Sequence, residues 1–94
     1  MTYAEDVTDS APLVVVQDAF VTRGSGVLVE PRITFDGTTG EFPIVLRLPN
    51  GEERAAIGVF ETSHIRGENA PFAMLRVLAV KPEDVPIGTI IVRG

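Results

Sequence analysis

The sequence predicts an all-β domain of six short strands, an antiparallel barrel or sandwich with no long helix. Apolar side chains recur at every second position in several short runs, which is the period of a half-buried strand. Nine glycines and seven prolines separate those runs. No stretch of about 12 residues has helical periodicity. Closing the sheet into a barrel would also remove exposed edges in so short a chain.

Length and composition indicate one domain. We place it at residues 13–94, after an acidic leader at residues 1–12. The absence of cysteine excludes disulfides, thiolate catalysis and cysteine-based zinc sites. A small domain without disulfides fits a reducing compartment, so a cytoplasmic location is expected. No apolar run approaches the about 20 residues of a membrane helix, and we expect neither a signal peptide nor a membrane partner.

The formal net charge is −5, from 13 acidic and 8 basic residues. A protein that binds nucleic-acid phosphates usually carries an excess of Lys and Arg, because its affinity comes from counterion release. The charge balance therefore disfavours a broad RNA-binding surface and allows only a local basic patch.

The strands follow one another with clear turn signals. The six predicted strands span residues 13–21, 27–34, 41–48, 53–61, 72–80 and 89–93. Gly24 and Gly26 form the first hairpin turn, since glycine adopts positive φ without a Cβ clash. Pro49-Asn50-Gly51 is the strongest turn signal and predicts a hairpin between the third and fourth strands. Pro31 and Pro43 lack an N–H group and predict an edge position or a bulge.

The alternation also predicts which side chains face the core. In the fifth strand the odd positions 73–79 form an unbroken apolar face, which we place inward because Arg76 interrupts the other face. Leu28, Val45 and Phe60 fall opposite the proposed core and predict an exposed apolar strip. Residues 81–86 are predicted to form a single helical turn, with Pro82 in its first turn.

The opening hairpin resembles the second domain of elongation factor Tu and related translational GTPases. That family has an Asp-x-Phe motif, a Gly-x-Gly turn and a Val-rich strand that ends near an Arg. The matching residues here are Asp18, Phe20, Gly24, Gly26, Val27, Val29 and Arg32. Residues 81–90 also resemble the acidic turn and last strand that end that domain, so the likeness covers about residues 13–93.

The resemblance implies a six-stranded closed β-barrel that acts as an accessory module. In factor Tu this module packs against the nucleotide-binding domain and helps to hold the aminoacyl end of tRNA. The present sequence has no phosphate-binding Gly-x-x-x-x-Gly-Lys-Ser/Thr loop. Ser25 replaces the Arg that the family usually has between its two glycines, and Pro31 replaces a common Gly. RNA binding is therefore the property least directly implied.

Six residues are candidate binding residues, and no catalytic or metal-ligating set is predicted. The candidates are Phe20, Arg23, Ser25, Arg32, His64 and Asn69. The first four lie on the opening hairpin, where an aromatic face and arginines could contact RNA. His64 and Asn69 lie in the longest polar connection, residues 62–71, where function is often found. A lone histidine beside Ser63 lacks the third group of a hydrolytic triad, so we expect a surface residue.

Two acidic pairs have alternative interpretations. Glu52-Glu53 and Glu83-Asp84 could perform acid–base chemistry if they met across a cleft. As turn residues they are expected to be solvated, with the second pair favoured at a helical N-terminus.

We therefore expect a non-enzymatic, cofactor-free binding module. Its expected partner is another protein or a second copy of the chain. The alternative is RNA, tRNA-end or nucleotide binding, as the resemblance implies.

Overall fold

The computed structural model describes residues 12–21, 26–34, 37–62 and 72–94. Every strand pairing is antiparallel, which confirms the all-β prediction. The strands are β1 (Val14–Val15), β2 (Asp18–Val21), β3 (Val27–Thr34), β4 (Phe42–Arg47), β5 (Glu53–Thr62), β6 (Phe72–Val77) and β7 (Ile90–Arg93). A single 3-10 turn (Pro82–Asp84) precedes β7, as the sequence predicts.

The strands form one sheet in the order β1-β7-β4-β5-β6-β3-β2. Strands β4, β5 and β6 follow one another as a meander, and β7 returns to pair with the free side of β4. This placement of a fourth strand beside the first of three is a Greek key. The hairpin of β2 and β3 completes the sheet along β6.

The prediction of six strands in a closed barrel is wrong in detail, because the sheet has seven strands and is an open half-barrel. The first predicted strand is divided between Val16 and Gln17. The amide of Val16 donates to the carbonyl oxygen of Thr89 at 2.8 Å, on the β7 side. The amide of Gln17 donates to the carbonyl oxygen of Glu30 at 2.8 Å, on the β3 side. One segment thus contributes to both edges of the sheet.

The concave side of the sheet holds the core. The core side chains lie at every second position of β3, β4 and β6 and include Val27, Val29, Phe42, Ile44, Leu46, Leu75, Val77 and Ile91. Leu28, Arg76 and Val92 lie between these positions and are also buried. The inward prediction for the odd positions of β6 is confirmed at Ala73, Leu75 and Val77. Ala79 lies beyond the strand in a turn and is exposed, with φ of 60°. Val85, just after the 3-10 turn, is 1 % exposed and closes one end of the core.

Two glycines allow close packing in this core. Gly26 has φ of 77°, and a Cβ atom there would lie 1.9 Å from the carbonyl oxygen of Val77. Gly58 lies on the inner side of β5, where an added Cβ would be 3.1 Å from Leu75 Cδ1 and 3.3 Å from Ile44 Cδ1. Gly26 therefore leaves no room for a side chain, whereas a Cβ at Gly58 would require the Leu75 and Ile44 side chains to shift by a small amount.

The predictions for the two prolines within strands have different outcomes. Pro31 lies where the β3–β6 register shifts between Val29 and Ile33, so the predicted bulge is confirmed. Pro43 lies in β4, which has neighbours on both sides, so an edge position is wrong. Its carbonyl oxygen accepts from the amide of Gly94 at 3.0 Å. Pro43 is the second residue of β4 and lies just before the β4–β7 ladder, which begins at Ile44.

Among the described residues, no helix combines the length and the apolar character that crossing a membrane would require.

Candidate binding surfaces

The predicted site residues do not form one site in the described part of the chain. Phe20 is half-buried on β2, opposite Leu28, and Arg32 is exposed in the bulged part of β3. Leu28 and Arg32 are four positions apart, which corresponds to about 13 Å of strand. Phe20 and Arg32 therefore do not lie close enough together for one to stack on a base while the other binds the adjacent phosphate. The other four candidates lie outside the described residues, namely Arg23, Ser25, His64 and Asn69.

The predicted exposed strip of Leu28, Val45 and Phe60 is wrong at two of its three positions. Leu28 is only 9 % exposed. Phe60 packs against the core, where its ring stacks on that of Phe42 with centroids 5.1 Å apart. The guanidinium of Arg93 lies 4.9 Å from the centroid of the Phe42 ring. These rings stabilise the interior and do not offer a stacking face to a ligand.

A different apolar surface lies on the convex side of β4 and β5. It consists of Pro43, Val45, Ala55 and Ile57, and we call it the outer strip. Pro43 is paired with Ile57, and Val45 with Ala55, so the four side chains share one face. Pro43, Ala55 and Ile57 are exposed, and Ile57 retains 38 % of its accessible surface. The strip lines a shallow depression of about 430 Å³ that contains no charged side chain.

One ion pair borders the outer strip. Arg47 and Glu53 are paired across β4 and β5, with Arg47 Nε 3.1 Å from Glu53 Oε2. The contact is electrostatic and lacks hydrogen-bond geometry. Both side chains are substantially exposed, so the pair adds little stability. It does place one positive and one negative charge side by side at the border.

A second surface lies where the β4–β5 turn meets the segment that holds the 3-10 turn. We call it the tip groove, and its volume is about 510 Å³. Its apolar lining comes from Leu48, Pro49, Pro86 and Ile87. Ile87 is 71 % exposed, the largest exposed fraction among the large hydrophobic side chains of the described residues.

Both walls of the tip groove are held by hydrogen bonds from backbone amides to carbonyl and side-chain oxygens. On one side the amide of Leu48 donates to the carbonyl oxygen of Glu52 at 2.8 Å, and the side chain of Asn50 accepts from the amide of Glu52. On the other, a carboxylate oxygen of Asp84 accepts from the amide of Lys81 at 2.9 Å. The amide of Gly88 donates to the carbonyl oxygen of Val16, which ties this wall to the core. The groove is thus preformed.

The charged lining of the tip groove is mainly acidic. It consists of Glu52, Glu83 and Asp84 against one cation, Arg54. Arg54 approaches Asp84 at 4.0 Å, a long and solvent-exposed contact. None of the ion pairs among the described residues involves Glu52 or Glu83. The two acidic pairs, which the sequence allowed to meet across a cleft, therefore both contribute to one groove, although Glu53 pairs with Arg47 instead of lining it.

Neither surface was predicted as a unit, although one signal was present. Residues 42–46 are all apolar, and such a run indicates a strand with apolar side chains on both faces. No local sequence signal indicates that the two acidic turns line one groove, because thirty residues lie between Glu52 and Glu83.

The described residues contain no group of three or more His, Asp or Glu side chains that could hold a metal ion. Comparison with protein-family models, with curated proteins and with solved structures found no match to this chain.

Proposed function

We propose that this chain is a non-enzymatic binding module that associates with a second copy of itself through the outer strip. The observation that carries the proposal is an uncharged apolar surface on the convex face of two central strands. Strands β4 and β5 also supply core side chains from their opposite faces, so the strip is held on a rigid support. Exposed apolar patches on small domains commonly mark protein contacts.

The charges around the strip favour a second copy as its occupant. In a two-fold contact the same surface of each subunit meets its own image. The strip has no charge that would be buried opposite a like charge. At its border, Arg47 of one subunit can approach Glu53 of the other, because the two residues lie side by side in each chain. An apolar centre with a polar rim is the usual anatomy of a protein interface.

The likeness to the second domain of translational GTPases forms part of the proposal. We propose that residues 13–21 correspond to the first strand of that barrel, bent so that it serves both edges. The hairpin of β2 and β3 and the 3-10 turn before the last strand support this correspondence.

RNA binding remains the second candidate, but the described charges favour it less. Arg47, Arg54 and Arg76 each lie within ion-pair distance of a carboxylate, and such pairing reduces their availability to phosphate. Arg32 is exposed but lies apart from Phe20. The net charge of −5 adds a general repulsion towards RNA.

The test is the oligomeric state of the full chain over a concentration series, measured by sedimentation equilibrium. We expect a reversible dimer, and we expect Val45→Asp to weaken it by more than about a hundredfold, because a carboxylate would be buried in the interface. Val21→Asp is the matched control, since Val21 is 65 % exposed and lies outside the strip. The control should dimerise like the unmodified chain.

Two results would overturn the proposal. One is an unmodified chain that stays monomeric at about millimolar concentration, the weakest range of specific association. The other is an equal weakening of dimer formation in Val45→Asp and in Val21→Asp. A labelled single-stranded RNA, added at low salt to the unmodified chain and to Arg32→Ala, tests the alternative. Salt-sensitive binding that is lost in Arg32→Ala would favour RNA instead.

A further inference from the structure

We propose that the tip groove binds a short segment of a partner protein that carries Lys or Arg next to an apolar side chain. This inference goes beyond self-association, because the groove lies at the turn of the β4–β5 hairpin and shares no residue with the outer strip. It rests on three properties of the groove: its apolar lining, the sign of its charges and its preformed walls.

The apolar lining supplies the contact area. Ile87 and Pro49 are exposed in a concave setting, where an apolar ligand side chain can touch several groups at once. Isolated exposed apolar residues need no explanation, but here they converge with Leu48 and Pro86 on one groove. A ligand that covers Ile87 would remove its 71 % exposed surface from water, which is favourable in proportion to the area.

The charges that line the groove determine the charge of the ligand it favours. Three carboxylates and one guanidinium give the groove a net negative potential, and the Arg54–Asp84 contact offsets only one of the carboxylates. Glu52 and Glu83 come from opposite walls, so both attract a cation that enters the groove. An acidic peptide or a phosphate group would be repelled at the same place. A metal ion is not the expected occupant, because the described carboxylates do not form a ligand cluster.

The rigidity of the walls favours an extended peptide over a ligand that must reshape the site. The Asn50 and Asp84 side chains already satisfy backbone amides of the two turns. Pro49 Cγ lies 3.6 Å from where a Cβ of Gly88 would be, so the two turns approach each other closely beside the groove. A preformed groove loses little conformational entropy on binding, which permits a short ligand to bind measurably.

The experiment uses a fluorescein-labelled peptide of alternating Arg and Leu and the full chain, with fluorescence anisotropy as the readout. We expect Glu52→Gln/Glu83→Gln to weaken binding by about tenfold at low salt, because two favourable charge contacts are lost while the shape is kept. Glu30→Gln/Glu41→Gln is the matched control, since it removes two exposed carboxylates elsewhere. The control should weaken binding by less than about twofold.

The apolar part of the proposal has its own variant and peptides. We expect Ile87→Ser to weaken binding by about three- to tenfold, and Val21→Ser, at another exposed position, to leave it unchanged. A peptide of alternating Glu and Leu should not bind. A peptide of alternating Arg and Ser should bind more weakly than the Arg and Leu peptide.

Equal losses of peptide affinity in Glu52→Gln/Glu83→Gln and in Glu30→Gln/Glu41→Gln would overturn the proposal. They would show that the peptide is attracted only by the overall negative charge of the chain. The absence of any binding by the Arg and Leu peptide would overturn it as well. Amide shifts in a nitrogen-15 spectrum should cluster at residues 48–54 and 83–87, and shifts confined to the outer strip would contradict the assignment. Val45→Asp should leave peptide binding unchanged, so failure of the groove and failure of self-association are distinguishable.

Discussion

The two faces of the β4–β5 hairpin have similar composition and different environments. On the concave face Phe42, Ile44 and Leu46 are 7 % exposed or less. On the convex face the outer strip is equally apolar, but three of its four side chains are exposed. Burial therefore depends on the position of a residue in the folded sheet as well as on its hydrophobicity. The concave face stabilises the chain, and the convex face remains exposed to solvent.

The largest effect is expected where backbone packs against backbone. Gly26 and Gly40 both have φ of 77°, but a Cβ would be 1.9 Å from Val77 O at Gly26 and would meet nothing within 4 Å at Gly40. Gly40→Ala should cost about 1–2 kcal/mol from its backbone conformation alone. Gly26→Ala should cost more than about 4 kcal/mol, because the strands must also separate. Urea denaturation measures both, and equal losses would contradict the close approach.

The second prediction compares one substitution on the two faces. Ile44 is 1 % exposed and Ile57 is 38 % exposed. Ile44→Ala should lower the free energy of unfolding by about 2–5 kcal/mol, because it leaves a cavity in the core. Ile57→Ala should lower it by less than about 1 kcal/mol in the monomer. If Ile44→Ala does not fold, Ile44→Val should still cost about 0.5–1.5 kcal/mol by chemical denaturation. A larger loss for Ile57 would mean that the convex face is covered.

The third prediction is that added salt affects binding at the two surfaces in opposite directions. Raising NaCl from about 0.05 M to about 0.5 M should strengthen self-association by about two- to fivefold, because it screens repulsion between two chains of net charge −5. The same change should weaken binding of the Arg and Leu peptide to the tip groove. Sedimentation equilibrium and anisotropy measure the two responses. A shared direction would show that one of the two surfaces is wrongly assigned.

The smallest effect is expected for the border of the outer strip. Arg47 and Glu53 are exposed, so a double-mutant cycle with Arg47→Ala and Glu53→Ala should give a coupling of less than about 1 kcal/mol in the stability of the monomer. The same cycle applied to dimer formation should give a larger coupling, because the pair is less hydrated at an interface. Equal coupling energies for monomer stability and for dimer formation would show that Arg47 and Glu53 lie outside the dimer interface.

Much of the fold was predictable because its signals are local. The Asn50-Gly51 turn, the bulge at Pro31 and the inward face of β6 each depend on a few adjacent residues. The break between Val16 and Gln17 was not predictable, because it depends on partners at Thr89 and Glu30. A continuous apolar run gives no sign that its two halves pair with different strands.

The candidate surfaces were less predictable for the same reason. The alternation placed Phe60 opposite the core, but its pairing with Leu75 places it beside Phe42 on the concave face. A shift of one residue in register reverses the face of every side chain, and the sequence of β5 is apolar on both faces over residues 55–60. The charged residues did not predict the tip groove either. The sequence of two acidic turns is the same whether or not the turns lie close together in the fold.

The segment that serves both edges of the sheet has a consequence for the order of folding. Val14 pairs with Ile91, so the first strand of the described chain requires the last one as its template. Contacts between residues so distant in sequence close long loops, and such closure slows folding. The meander of β4, β5 and β6 can form early from neighbouring residues. Residues 13–16 can dock at this edge only after β7 has been synthesised.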